Sequence, residues 1–458
     1  MIALLTLLAC ADKTPATDDS APVAPALPEL LGPAVAPDLD PADDVVEVEL
    51  VAGVTDAEFI EGISTPGVWA YNDQVPGPLI QARVGDTLRV VFTNNLDEAT
   101  TIHWHGLRIP DEMDGVPAIQ DPVEPGETFV YEFTLPDAGT WWYHPHVRSN
   151  EQVERGLQGM LVVHEAEPLI VDAERAFVLD DIALTSDGQM YSFDLDNSHP
   201  QQVHGRTGGT LLANGQSGLL TGTSRPGGVE RWRLVNTANA RTLFASVDGA
   251  SWRVIGTDGG LIPEPWTDRR VQLPVGRRVD LEVIPDPEGE GPVLNVLVQS
   301  GLGFDTFPVF QAELEGEPGD GLPLDWGAEP LPAMQETTQD VEMTFSVTGG
   351  GTSIYWLING ATWDEHEPIV VSGDTPTRIV VQDESLANHP FHLHGNFFQV
   401  VSVDGEPVDF PGLLDTWQVN GGQRVELYSE LENPGRWMSH CHILEHAERG
   451  MMTELVVE

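Results

Sequence analysis

The chain has 458 residues, enough for about three domains at the usual ~100–200 residues each. Its 21 Lys plus Arg stand against 73 Asp plus Glu, a formal charge of -52 with Lys13 the single lysine, and such a surface repels nucleic-acid phosphates and anionic lipid headgroups. A hydrophobic share of 41% is too high for a disordered chain, while 46 Gly and 36 Pro interrupt it too often for long helices.

In chain order, the first feature is a short apolar run, Ile2 to Ala9, ending in Leu7-Leu8-Ala9-Cys10; no later segment holds the ~18 uninterrupted apolar residues of a membrane span. Residues 1–10 resemble a bacterial lipoprotein signal with lipid on Cys10, which implies an exported, periplasmic or cell-surface protein touching the membrane only through that anchor. No Lys or Arg precedes the run, and an ordinary cleaved signal or no export are the competing readings. Residues 11–44, rich in Ala, Pro, Asp and Thr without hydrophobic period, read as an extended, disordered tether.

From Val45 onward, short apolar runs and alternations are divided by Gly, Pro, Asn and Asp: Leu88 to Phe92, Thr128 to Leu135, Arg231 to Val235, Val279 to Ile284, Arg378 to Val381 and Phe397 to Val403. No 3.6-residue period persists over three turns, so the class is all-β, built of sandwiches. Composition shifts near 166–172 and across Glu315 to Gln339 give segments 45–166, 167–318 and 319–458.

The outer two segments repeat each other. Val84-Gly85-Asp86-Thr87 echoes Ser372-Gly373-Asp374-Thr375; His103-Trp104-His105-Gly106 echoes His392-Leu393-His394-Gly395; Trp142-Tyr143-His144-Pro145-His146 echoes Trp437-Met438-Ser439-His440-Cys441-His442. Where the third segment has Cys441 the first has Pro145, so only the third copy can hold a thiolate-bound metal. The middle segment has no cysteine and is assigned a spacer role.

Ten of the 14 histidines fall in four clusters: His103 and His105; His144 and His146; His389, His392 and His394; His440, His442 and His446. In a strand, residues i and i+2 share a face roughly 6–7 Å apart, so each His-x-His pair presents two imidazoles side by side. Four pairs exceed one tetrahedral zinc, and imidazoles without carboxylates favour copper, so a cluster of metal ions is implied. Cys441, between His440 and His442, points to the opposite face of an extended strand. There it meets His446 and Met451, with His389 arriving from the preceding cluster, which is the His₂Cys plus axial Met set of a blue, electron-transferring copper. Met452 is the alternative axial residue; spacing favours Met451.

With these four motifs the sequence resembles the multicopper oxidase family, in particular its three-domain, laccase-like bacterial branch. The resemblance covers nearly everything after the tether, including Trp232-Arg233-Leu234-Val235-Asn236 in the middle segment. It implies three cupredoxin-like Greek-key β-sandwich domains and four copper ions. It also implies a type 1 copper on His389, Cys441, His446 and Met451, a type 2 copper on His103 and His392, and a type 3 pair on His105, His144, His442 and on His146, His394, His440. The implied reaction takes single electrons from a reducing donor through Cys441, His440 and His442 to a cluster that reduces dioxygen to water, with Asp114 as proton-relay carboxylate. Asp114-Gly115 also reads as an ordinary turn. Many members of that family carry a relay glutamate where this chain has Ala447, leaving Glu445 or Glu448 as substitutes.

His164, His199, His204 and His366 match no ligand position and read as surface or loop residues. Nine scattered methionines form no methionine-rich insertion of the kind associated with cuprous oxidation. The expected donor is therefore a phenol or aromatic amine, with cuprous or another metal ion as the alternative and a non-catalytic copper-binding protein behind both. A monomer is expected, its charge resisting self-association.

Overall fold

The computed structural model describes residues 27–326, 330–350 and 353–458. Strands dominate and pair into six sheets, two per segment. In the first segment, Ile63–Tyr71, Val45–Ile60, Thr87–Asn94 and Thr128–Thr134 form one sheet; Ile80–Arg83, Gly159–His164, Gly139–His144 and His103–His105 form the other. Thr87–Asn94 shows why such runs become strands: its burial alternates residue by residue, with Leu88, Val90 and Phe92 inside against Tyr131, Phe133 and Trp104.

The third segment repeats the plan. A six-stranded sheet around Gln339–Gly350, Thr377–Asp383 and Arg424–Ser429 faces a five-stranded one in the order Ile369–Val371, Met452–Val457, Gly435–Cys441, His389–Leu393, Thr416–Val419. The middle segment pairs a seven-stranded with a five-stranded sheet over a core that includes Trp232, Leu281 and Phe310. Each domain is a cupredoxin-like β-sandwich, and the class is all-β. Helices are short: α1 (Ser149–Gln152), α2 (His199–His204) and α3 (Leu444–Glu448). Among the described residues no helix is long and apolar enough to cross a membrane.

Two readings of the sequence are corrected. The tether expected over 11–44 does not extend through 27–44. Leu30–Leu31 adds a parallel strand to Ala173–Ile182, Ala36 donates its backbone N–H to the Leu79 carbonyl at 2.8 Å, and Leu30 packs with Leu79, Trp142 and Val235. These apolar residues lack a period because each enters a separate slot, Leu30 between the first two domains and Ala36 in the core of the first. Residues 1–26, with Cys10, lie outside the described residues. His164 is not a surface residue: it is 1% exposed at the end of Gly159–His164, with Nε2 2.9 Å from Gln81 Oε1, and burial followed by the Arg233 charge pulls its pKa down to about 4.

Candidate metal centres

Strand register decides which histidines meet. His103 lies opposite His144 in the first domain, and in the third His392 lies opposite His440 while Phe391 lies opposite Cys441. Directly opposed residues share a face, so His392 and His440 look one way and Phe391 and Cys441 the other. His389 is three residues before His392 in the same strand and therefore falls on the face of Cys441.

On that face Cys441 Sγ is 3.7 Å from His446 Nδ1, which is 3.3 Å from His389 Nδ1, and all three residues are buried. The outer nitrogens are occupied. His446 Nε2 donates to the Val203 carbonyl at 3.1 Å; His389 Nε2 donates to Ser385 Oγ at 2.7 Å, whose own proton goes to Asp383 Oδ1 at 2.6 Å. With the protons so placed, both Nδ1 lone pairs converge beside the sulfur. Burial is the largest cause that pushes the Cys441 thiol up and the His446 imidazole down, with His389 adding to the latter, and burial alone takes His389 down to about 3, so a bound cation has no protonated imidazole to displace and takes the place of the thiol proton. Met451 is fully buried in the cluster that holds Cys441. Met452 pairs in register with His440 and is turned to the other side.

On the opposite face eight imidazoles from the outer domains converge. Ligand nitrogens within 4.8 Å of one another group His146 with His394 and His440, His103 with His105 and His144, and His103 with His392 and His394. His442 lies with its ring centroid 5.0 Å from that of His105 and 5.5 Å from that of His144. Buried nitrogens without a hydrogen-bond partner are concentrated here: Nε2 of His103, His144, His146 and His392, Nδ1 of His105, and both nitrogens of His442. Several are oriented from behind, since Nδ1 of His103, His144, His392 and His440 is 2.9–3.0 Å from a backbone carbonyl of Asp114, Pro145, Asp415 and Cys441 respectively. Outward N–H groups spent on carbonyls leave lone pairs facing inward, the arrangement of a metal site. Burial first, then neighbouring imidazoles, lowers the pKa of His105, His144, His146, His394 and His442, keeping them neutral.

Three family models, each described as multicopper oxidase, match residues 55–168, 178–287 and 330–458. The chain belongs to the multicopper oxidase family. A multicopper oxidase of Mycobacterium tuberculosis, MmcO, is 30% identical over 426 residues, covering 84% of this chain and 82% of the relative. The crystal structure of a multicopper oxidase from Pseudomonas thermotolerans has a TM-score of 0.77 at 33% identity, covering 90% of this chain and 99% of that one. A Campylobacter jejuni multicopper oxidase, described as a metallo-oxidase, has a TM-score of 0.80 at 28% identity, covering 95% of this chain and 96% of that one. Like the family, the protein is an enzyme that uses copper cofactors, a reducing substrate and dioxygen.

Asp114 lies in this histidine site, with Oδ2 2.8 Å from His394 Nδ1 and Oδ1 3.2 Å from His103 Nδ1. Of the two acids near Ala447, Glu445 is buried and accepts from Asn239 Nδ2 at 3.0 Å, whereas Glu448 is exposed.

The middle domain is more than a spacer. Its Gly276, at φ +86°, packs so closely that a Cβ would lie 3.0 Å from His105 Cε1 and 3.3 Å from His442 Cδ2. Its Arg278 forms a buried pair with Asp415 of the third domain, and Asp415 Oδ1 is 3.4 Å from His105 Nε2. Burial would raise this carboxyl, but Arg278 and the His105 and His392 contacts hold it well below the usual carboxylate range. Sequence reasoning missed Asp415, Arg278, Ser385 and Trp356, whose ring stacks on His446 at 3.9 Å. Only Asp415-Thr416 carried a local signal, as an acid at the head of the strand Thr416–Val419.

Proposed function

We propose that the enzyme is laccase-like, oxidising phenols and aromatic amines by one-electron steps and reducing dioxygen to water with four coppers. The donor groups support a type 1 copper on His389, Cys441, His446 and Met451, a type 2 copper on His103 and His392, and a type 3 pair on His105, His144, His442 and on His146, His394, His440. Copper bound there supplies one-electron uptake beside the thiolate and four-electron chemistry toward dioxygen.

The chain's own part is positioning and connection. The backbone of His440-Cys441-His442 links the thiolate face to the histidine face through covalent bonds, and Asp114 holds protons at its carboxylate beside His394 and His103. On the side facing Ala447, Glu445 is the buried acid left to take the relay role.

The observation that carries the choice of donor is a cleft of about 770 Å³ with His446 in its wall. Val298, Val347, Ile354 and Leu386 give it an apolar lining, and Gln299, Asn388 and Gln418 add amides. No carboxylate is among its described lining residues, in a chain of charge -52. Such a cavity suits a neutral aromatic ring and offers a bare cation no counter-charge. His199 and His204, at the ends of α2 on the cleft wall, favour a second reading, cuprous oxidation. Oxygen uptake with dimethoxyphenol and with Cu(I), without added copper, separates them; efficient turnover of Cu(I) alone overturns the first.

Export with lipid on Cys10, and a monomeric state, belong to the same proposal. Mass spectrometry of native material tests the lipid, and light scattering tests the mass.

A further inference from the structure

The cleft's floor is built from an unexpected direction. Helix α2 of the middle domain lies across the outer edge of His446, with the Val203 carbonyl taking the proton of His446 Nε2 at 3.1 Å. A backbone carbonyl can only accept, so this bond fixes which nitrogen carries the proton and leaves Nδ1 free beside Cys441.

The preceding residue is Gln202, fully buried although polar. Its side-chain amide donates from Nε2 to the carbonyls of Leu195 at 2.8 Å and Asp196 at 3.3 Å, closing the turn before α2. Its Oε1 accepts the backbone N–H of Ile354 at 2.9 Å, and its own carbonyl accepts Trp356 Nε1 at 2.8 Å. Ile354 and Trp356 belong to the third-domain strand Ser353–Ile358, and the Trp356 indole stacks on the His446 ring at 3.9 Å. One buried residue thus ties together both groups that touch the outer side of His446: its main-chain carbonyl holds the indole, and its side-chain amide pins the segment that carries Val203 to the strand that carries Trp356.

We propose that Gln202 is a positioning residue for electron entry. It clamps α2 to the third domain, so that Val203 and Trp356 hold His446 in one tautomer and one orientation and a donor reaches the ring only through the cleft beside α2. The clamp rests on the reading of that cleft as the donor site, yet it acts on His446 whichever donor is used.

The test is Gln202→Met in the copper-loaded enzyme, an exchange of similar volume that removes both side-chain hydrogen-bonding groups. Three readouts are followed: the thiolate charge-transfer band, the protection from exchange of the His446 Nε2–H proton in the reduced, diamagnetic protein by NMR, and the KM and kcat for dimethoxyphenol. The expected result is a displaced band, a lost or rapidly exchanging N–H resonance, and a KM raised about 10-fold, more than kcat falls. A variant that melts earlier but keeps the band, the resonance and KM overturns the proposal, because Gln202 would then serve folding alone. If Gln202→Met does not fold, Gln202→Asn, which keeps the amide but falls a methylene short, decides on the same readouts: unmoved, it overturns the clamp. Failure of the wild type to oxidise phenols would sink the donor assignment, while the band and the resonance still judge the clamp.

Discussion

Asp415 and Arg278 join the third domain to the middle one beneath the histidine cluster: Arg278 Nη1 donates to Asp415 Oδ1 at 2.8 Å, and the same oxygen is 3.5 Å from His392 Nδ1. Both side chains are fully buried, so neither charge has water to fall back on. Asp415→Asn is expected to cost on the order of 3 kcal/mol by removing one of the two buried carboxylates paired with Arg278, the other being Asp258 at 3.5 Å. It should also loosen His105 and His392. Copper counting with electron paramagnetic resonance should show metal lost from the histidine cluster while the thiolate band persists.

Gly276 gives a second probe of the same face. A methyl group there meets His105 and His442 at 3.0 and 3.3 Å, and the positive φ adds backbone strain. Gly276→Ala should lower copper content at the histidine cluster and oxygen reduction together, with little change in the thiolate band. A fully loaded, fully active variant would show that the ligands have room to move.

Cys441→Ser should remove the blue charge-transfer band and electron uptake from donors, since the hydroxyl is a poor substitute for a soft thiolate. The eight imidazoles on the opposite face remain, so copper bound there should persist by metal analysis. A blue Cys441→Ser protein would contradict the ligand assignment.

Stability should fall as pH rises across the weakly acidic range because of Asp180. Burial, with Asp181 next, raises its pKa from 3.8 to about 7, so the folded state holds the proton more tightly than the unfolded chain. Its contribution is fully present below about pH 4 and lost as pH approaches 7. Asp180→Asn keeps an acceptor for Gln158 Nε2, which now bonds Asp180 Oδ2 at 2.6 Å. Melting temperatures of the two proteins should diverge between pH 4 and 7, with the variant ahead at neutral pH.

What the amino-acid sequence determined by itself was whatever is encoded by short spacing. Alternating apolar residues specify strands, and His-x-His places two imidazoles on one face because a strand repeats every two residues. The three-residue step from His389 to His392, and Cys441 between two histidines, separate two metal faces by the same parity. Spacing favours Met451 over Met452, and the register of Met452 against His440 turns Met452 to the histidine face. Parity also says nothing about partners that arrive from other domains. Val203, Gln202, Gly276 and Arg278 approach the sites from the middle domain, which has no ligand motif and reads locally as a spacer. Leu30 and Ala36 look like tether because single apolar residues in a proline-rich stretch carry no period; Leu30 is held where the first two domains meet, and Ala36 in the core of the first. Short-range chemistry chose the ligands, while the packing of three domains chose what orients them, since a hydrogen bond across 100 or more residues leaves no periodic trace in the chain.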